Sequence, residues 1–141
     1  MPDTVRRVDY FSIQVPNRPG EAFKVLSTLV SAGINLLACT GYPQGRRAQI
    51  DVVPEDSRKF TAAIKKAGLP FTPKKSGFLI QGEDRAGALA GHLKKLAQAG
   101  VNVTAVDAVS AGQGRWGAIF WVKSEDVART ARLFRKKPLK S

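Results

Sequence analysis

The chain has 141 residues, 43% of them hydrophobic and 24% charged, with 23 Lys and Arg against 11 Asp and Glu for a net charge of +12. That balance excludes a disordered polyelectrolyte and leaves room for one ordinary domain or two small ones. No apolar run reaches the ~18 residues of a membrane span, and Met1-Pro2-Asp3-Thr4 does not begin a secretory signal. The single Cys39 excludes an internal disulfide, so a cytoplasmic protein is expected. Most of the positive charge comes as scattered pairs such as Arg6-Arg7, Arg46-Arg47 and Lys94-Lys95. Only Arg135-Lys136-Lys137 with Lys140 forms a cluster, which reads as a basic C-terminal tail on a solubilising surface.

Residues 1–7 read as a polar lead-in. From Val8 to Val15 the pattern alternates, with Phe11, Ile13 and Val15 on one face, which predicts a strand. Pro16 to Gly20 breaks it. Asn17 can cap the following helix, with Pro19 in its first turn, and Ala22, Phe23, Leu26, Leu29 and Val30 recur at helical spacing. Gly33 stops that helix as a left-handed cap. Ile34 to Cys39 predicts a second strand that buries Cys39, Gly41 to Gly45 a hairpin loop, and Ala48 to Val53 a third strand with Ile50 and Val52 inward. A second helix starts at Asp56 or Ser57, turns Phe60, Ala63, Ile64 and Ala67 inward, and stops at Gly68. Pro70 to Pro73 can supply only a short edge strand, because proline has no N–H to donate.

The chain then repeats itself. Gly20, Gly33 and Asn35 recur as Gly87, Gly100 and Asn102, each 67 positions on (87−20, 100−33, 102−35), and Arg18, Leu26, Leu29 and Ala32 recur at the same offset. Two modules follow, residues 1–75 and residues 76–141. The second runs through a strand at Phe78–Gly82, a helix at Arg85–Ala99, strands at Val101–Val109 and Trp116–Val122, and a helix at Ser124–Leu133. Asp56 now matches Asp126, an offset of 70, which predicts a longer hairpin loop. Phe134 to Ser141 shows no alternation, so the last strand is expected to be missing or frayed. The fold class is α+β, two tandem ferredoxin-like βαββαβ modules with antiparallel sheets and helices on one face.

Along Trp116–Val122 both faces are apolar: Trp116, Ala118, Phe120 and Val122 on one, Ile119 and Trp121 on the other. Helices cover one face only, so Ile119 and Trp121 suggest a homodimer sheet face, with cover by the chain's own tail or loops as the alternative.

Asn17-Arg18-Pro19-Gly20, an apolar helix and then Ala32-Gly33-Ile34-Asn35 resemble the signature of ACT domains, amino-acid-binding modules that regulate metabolic enzymes. The likeness is strongest to the serine-binding ACT domain of phosphoglycerate dehydrogenase and covers the chain once per module. It implies ligand contacts from Asn17, Gly20, Ile34 and Asn35 in the first module, and from Asp84, Gly87, Val101 and Asn102 in the second; Arg18 and Arg85 beside them can reach a ligand carboxylate, or stand as solvated surface arginines. It also implies sites at interfaces between paired modules. A glycine lets a ligand approach the backbone, a helix N-terminus favours a carboxylate, and an asparagine offers both donor and acceptor. Two departures stand out. Val15 occupies the place of a histidine in the dehydrogenase pattern, and Asp84 replaces Asn17 in the second module, where its charge suits an ammonium and repels a carboxylate.

Each of these residues also has a plainer role, Asn17 as a cap and the glycines as turn residues. His92, the only histidine, sits mid-helix without the neighbours a metal needs, and neither a metal nor a cofactor is expected. No triad, phosphate loop or paired carboxylates point to an enzyme. The expected function is an amino-acid sensor acting in trans on a metabolic enzyme or regulator. Single-stranded RNA binding is the rival, since RRM domains share the strand order. However, only Tyr10 and Trp121 offer stacking rings, and no RNP1 pattern is present. A structural oligomerisation module is the third reading.

Overall fold

The computed structural model describes residues 3–135, arranged as two compact units, Asp9–Lys75 and a second formed by Ser76 onward together with residues up to Val8. In chain order the elements are β1 (Thr4–Pro16), α1 (Glu21–Ser31), β2 (Leu36–Gln44), β3 (Arg47–Pro54), α2 (Ser57–Ala67) and β4 (Lys75–Glu83). There follow α3 (Ala88–Gln98), β5 (Val103–Gly112), β6 (Arg115–Val122), a 3-10 turn (Ser124–Asp126) and α4 (Val127–Leu133). The α+β class and the antiparallel βαββαβ-type repeat are as the sequence predicts. None of the described helices is long and apolar enough to cross a membrane.

In the first module the strand order is β2-β3-β1, with Phe11, Ile13 and Val15 opposite Val52, Ile50 and Ala48. Val25 and Leu29 of α1 and Phe60 and Ile64 of α2 close over that face. Phe60 is fully buried, its ring 4.5 Å from Phe11 and 5.1 Å from Phe71. Phe23 and Val30, expected in the core, are 72% and 73% exposed. They stand seven positions apart on the side of α1 away from Val25 and Leu29, so the inward stripe is narrower than the apolar content suggests. Cys39 is exposed as well, because β2 is the edge strand.

The turns sharpen several boundaries. Asp56 caps α2, its Oδ1 accepting from the N–H groups of Arg58 and Lys59, and Gly68 ends that helix at φ 68°. Asn17 does not cap α1; Gly20 stands there instead, at φ 87°. The first hairpin turn is Gly45-Arg46 alone, and Tyr42 and Pro43 lie within β2. Pro43 is tolerated there because an edge strand can leave one side unpaired. The second hairpin turn is also two residues, Gln113-Gly114, both at positive φ as a type I′ turn requires. The hairpin loop is therefore not longer. One extra residue enters β5 at an irregularity between Ser110 and Gly112, and two more lengthen the link from β6 to α4, which holds the 3-10 turn.

The polar lead-in is a strand. Residues 4–8 open β1 and lie along β4, with Thr4 Oγ1 donating to Gln81 O at 3.4 Å and Arg7 Nε to Ser76 Oγ at 2.9 Å. The second module thus has the order β1-β4-β6-β5, and the place of its closing strand is taken from the start of the chain. This corrects the division at residue 75, which set residues 3–8 in the first module. Phe134 and Arg135 form no strand, and residues 136–141 lie outside the described residues. In the first module residues 70–73 are not a strand either. Thr72 alone bonds to β1, donating its N–H to Ser12 O at 2.8 Å and accepting from Ser12 N–H at 3.0 Å through its hydroxyl.

The second core gathers Phe78, Ile80, Leu96, Phe120 and Val127, with Val5 of β1 packed against it. Ile119 and Trp121 are only 4% and 7% exposed within the single chain. The Trp121 indole lies against Gly77 of β4, where an added Cβ would meet Nε1 at 3.2 Å.

Candidate functional site

The two strand-to-helix loops are built alike. Gly20 at φ 87° and Gly87 at φ 77° each stand at a helix N-terminus that no side chain caps. Nothing lies within 4 Å of where a Cβ would sit on either. Positive φ favours glycine here, and the open first turn offers N–H groups and the positive end of the helix dipole.

At the far end of each helix the repeat is equally close. Ile34 N–H donates to Leu29 O at 2.9 Å and Val101 N–H to Leu96 O at 2.9 Å, closing each helix around Gly33 and Gly100 at φ 71° and 73°. A cation from the module's second helix then binds the glycine carbonyl, Lys59 Nζ to Gly33 O at 2.9 Å and Arg129 Nη2 to Gly100 O at 3.3 Å. Ile34 and Val101 are buried, at 8% and 5%. The Asn35 side chain donates to Glu55 Oε2 at 2.7 Å, and Asn102 is exposed.

These placements split the proposed contacts into two sets. Asn17, Arg18 and Gly20 stand at one end of α1, Ile34 and Asn35 at the other, and an 11-residue helix separates ends by about 16 Å. The same holds for Asp84, Arg85 and Gly87 against Val101 and Asn102. Within one module, one small ligand cannot touch both sets. Arg18 donates to Glu21 Oε1 at 3.0 Å, and Asn17 hydrogen-bonds through its N–H to Arg46 O at 3.1 Å.

In the second module the loop borders a cleft of about 300 Å³ lined by Asp84, Arg85, Gly87, Ser110 and Trp116 among others. Asp84 accepts from Ser110 Oγ at 2.6 Å. Arg85 faces elsewhere, into a bond with Asp3. Its Nη1 donates to Oδ1 at 3.1 Å and its Nη2 to Oδ2 at 3.0 Å, while His92 Nε2 lies 2.7 Å from Oδ2 and Trp116 Nε1 donates to Oδ1 at 3.2 Å. The Asp3 side chain is 2% exposed. Arg85 foremost, with His92 and Trp116, holds its carboxyl below the usual carboxylate range against the opposing effect of burial. Sequence reasoning missed this cluster. Its signal was present in the repeat: Gly82 and His92 occupy the positions of Val15 and Val25 (82−15 and 92−25, both 67).

Trp121, the ring offered for RNA stacking in the second module, is buried and cannot take a base on its face.

Neither a family model nor a curated protein sequence matches this chain. Solved structures do. A protein of Bacteroides thetaiotaomicron superposes at a TM-score of 0.77 with 19% identity, covering 92% of this chain and 87% of the other. The regulatory subunits of aspartate kinase from Thermus thermophilus and Thermus flavus superpose at 0.63 and 0.60, with 17% and 18% identity. They cover 94% and 95% of this chain, and 93% and 95% of their own. The fold is that of these aspartate kinase regulatory subunits, α+β with βαββαβ-type repeats. The paired glycine loops at Gly20 and Gly87 are among the positions where the resemblance to ACT domains implies ligand contact.

Proposed function

We propose that this ACT-type protein binds a small amino acid at its strand-to-helix loops and regulates an enzyme or regulator in trans, without catalysing a reaction itself. The observation that supports this reading is the uncapped helix N-terminus behind a positive-φ glycine, built twice at the same offset. Such a terminus suits the carboxylate of a zwitterion, and the exposed Asn17 beside it can serve either end of the ligand. The aspartate kinase regulatory subunits of the same fold accord with a regulatory role.

The first loop is the stronger of the two. Asp84, in the place of Asn17, brings a negative charge toward any ligand carboxylate in the second. The set at Ile34 and Asn35 joins a ligand held by Gly20 only where one module's loop meets the opposite helix end of another, which a second copy of the chain can supply.

Calorimetry of the full chain against the common amino acids, serine and glycine first, tests the proposal. A saturable signal of about −8 to −4 kcal/mol is expected for so small a ligand. It should disappear in Gly20→Val, whose side chain would be strained and would obstruct the helix terminus, and survive in Gly87→Val. Equal loss in both variants would overturn the ranking of the sites. Silence across the panel would leave an interaction module with the ACT fold.

A further inference from the structure

The cluster around Asp3 has no counterpart in the first module. There the corresponding positions are Val15, Val25 and Ala48, apolar residues packed in or against the core, with Val15 paired to Ala48. In the second module Gly82 pairs with Trp116 at the same register, and His92 faces the same point from α3. A Cβ on Gly82 would overlap the Asp3 carboxylate, so the missing side chain makes the space in which it sits. Three replacements, to glycine, histidine and tryptophan, thus converge on one carboxylate. Arg85 adds a two-pronged grip on both of its oxygens, the geometry that suits a guanidinium to carboxylates.

Asp3 does not belong to the second module by chain continuity; it reaches the site from the start of β1. From it a cleft of about 650 Å³ runs past His92 to Lys95, Phe134 and Arg135. Lys95 Nζ lies 5.1 Å over the Phe134 ring. Three cations, Arg85, Lys95 and Arg135, line this cleft against the single carboxylate of Asp3, so the field of the cleft favours further negative charge.

We propose that Arg85, His92 and Trp116 form a carboxylate-binding site in the second module, filled in cis by Asp3 and able to take an external carboxylate in its place. Asp3 and the external group exclude each other, because the four donor contacts converge on one pair of oxygens. An external carboxylate that wins the site therefore also releases the hold on residues 4–8 at the edge of β4. The proposal does not rest on amino-acid binding at the loops, since it requires no ammonium group.

The test is to empty the site and refill it. Asp3→Ala, made in the full chain, leaves the donors and removes the resident carboxylate. Formate should raise its thermal midpoint saturably, with an apparent affinity at least tenfold tighter than for the wild-type chain. Chloride at equal ionic strength should not. Asp3→Asn, whose amide fills the same space, should respond no more than the wild type, and Arg85→Met added to Asp3→Ala should abolish the response. If Asp3→Ala does not fold, formate must restore its circular dichroism. Equal responses to formate and chloride, or no response in Asp3→Ala, would overturn the proposal. The Trp116 indole N–H resonance, followed by NMR, should move with formate in Asp3→Ala at the same midpoint; a static resonance during a thermal response would place the ion elsewhere and also refute the site.

Discussion

In the first module Ser12 and Asp51 face each other across β1 and β3, both buried, with the Ser12 hydroxyl and Gln49 Nε2 donating to Asp51 Oδ1. At the same register of the second module stand Leu79 and Ile119, also buried. On the helix-covered face the contrast reverses. Val15, Val25 and Ala48 of the first module become Gly82, His92 and Trp116, gathered on the Asp3 carboxylate. Each module thus buries one polar cluster, and places it on the opposite face of its strands from the other. A buried polar group is tolerated wherever its partners are complete, so a repeated backbone constrains satisfaction and volume more than residue identity.

The aromatic cores make the same point. Phe60 of α2 matches Thr130 of α4 (130−60, an offset of 70), and both are fully buried. The bulk lost at Thr130 returns on the strand, where Phe120 stands in the place of Val52 and stacks 5.2 Å from Phe78. Thr130 Oγ1 donates to Asp126 O at 2.7 Å, so its hydroxyl is satisfied. The largest expected effects follow from this exchange. Phe60→Ala and Phe120→Ala should each cost about 3–5 kcal/mol in denaturant unfolding. Phe60→Thr should be partly rescued by Val52→Phe in the same module. If the double variant is no more stable than Phe60→Thr alone, the volume exchange is not what links the two cores.

The two arginines recurring at Arg18 and Arg85 give a smaller contrast. Glu21→Ala removes the partner of an arginine that is 69% exposed and should change stability by about 0.5 kcal/mol or less. Asp3→Ala strips a buried cluster of its acceptor and should cost about 1–3 kcal/mol. Similar losses in the two variants would deny the Asp3 cluster its special standing.

Acid sharpens that comparison. Because the folded Asp3 carboxyl ionises below its ordinary value, its stabilisation is complete above about pH 4, the unfolded value, and fades as pH falls toward the folded one. Wild type should therefore exceed Asp3→Asn in stability at pH 6, with the gap narrowing steadily below pH 4. The side chains in contact with the Asp3 carboxylate are Arg85, His92 and Trp116, and none of them is a second carboxyl that would share the titration. A gap that stays constant down to pH 2 would contradict the assignment. The smallest effects are at the helix ends, where Lys59→Met and Arg129→Met should each cost about 0.3–1 kcal/mol at low salt. Added salt should erase both losses; persistence in salt would mean that packing, not charge, holds those carbonyls.

Much of the fold is legible in the residues alone. The 67-residue recurrence of Gly20, Gly33 and Asn35 fixed two like modules, and alternation along Phe11–Val15 and Ala48–Val53 fixed strands and their inward faces, because these signals are local and periodic. Asp56 and Gly68 marked the ends of α2 for the same reason: capping chemistry is decided within a few residues. What escaped was everything set by long-range pairing. Nothing near Thr4 states that it will lie beside Gln81, and a short polar run reads as a lead-in until a sheet edge offers it hydrogen bonds. The seat of the Trp121 indole against Gly77 of β4 likewise depends on pairing across the sheet, which periodicity within β6 cannot say. The Asp3 cluster is the clearest case. The sequence determined that a glycine, a histidine and a tryptophan break the apolar pattern of the repeat. Only the tertiary structure, by bringing a carboxylate from 89 residues before His92, supplied the charge that those breaks accommodate.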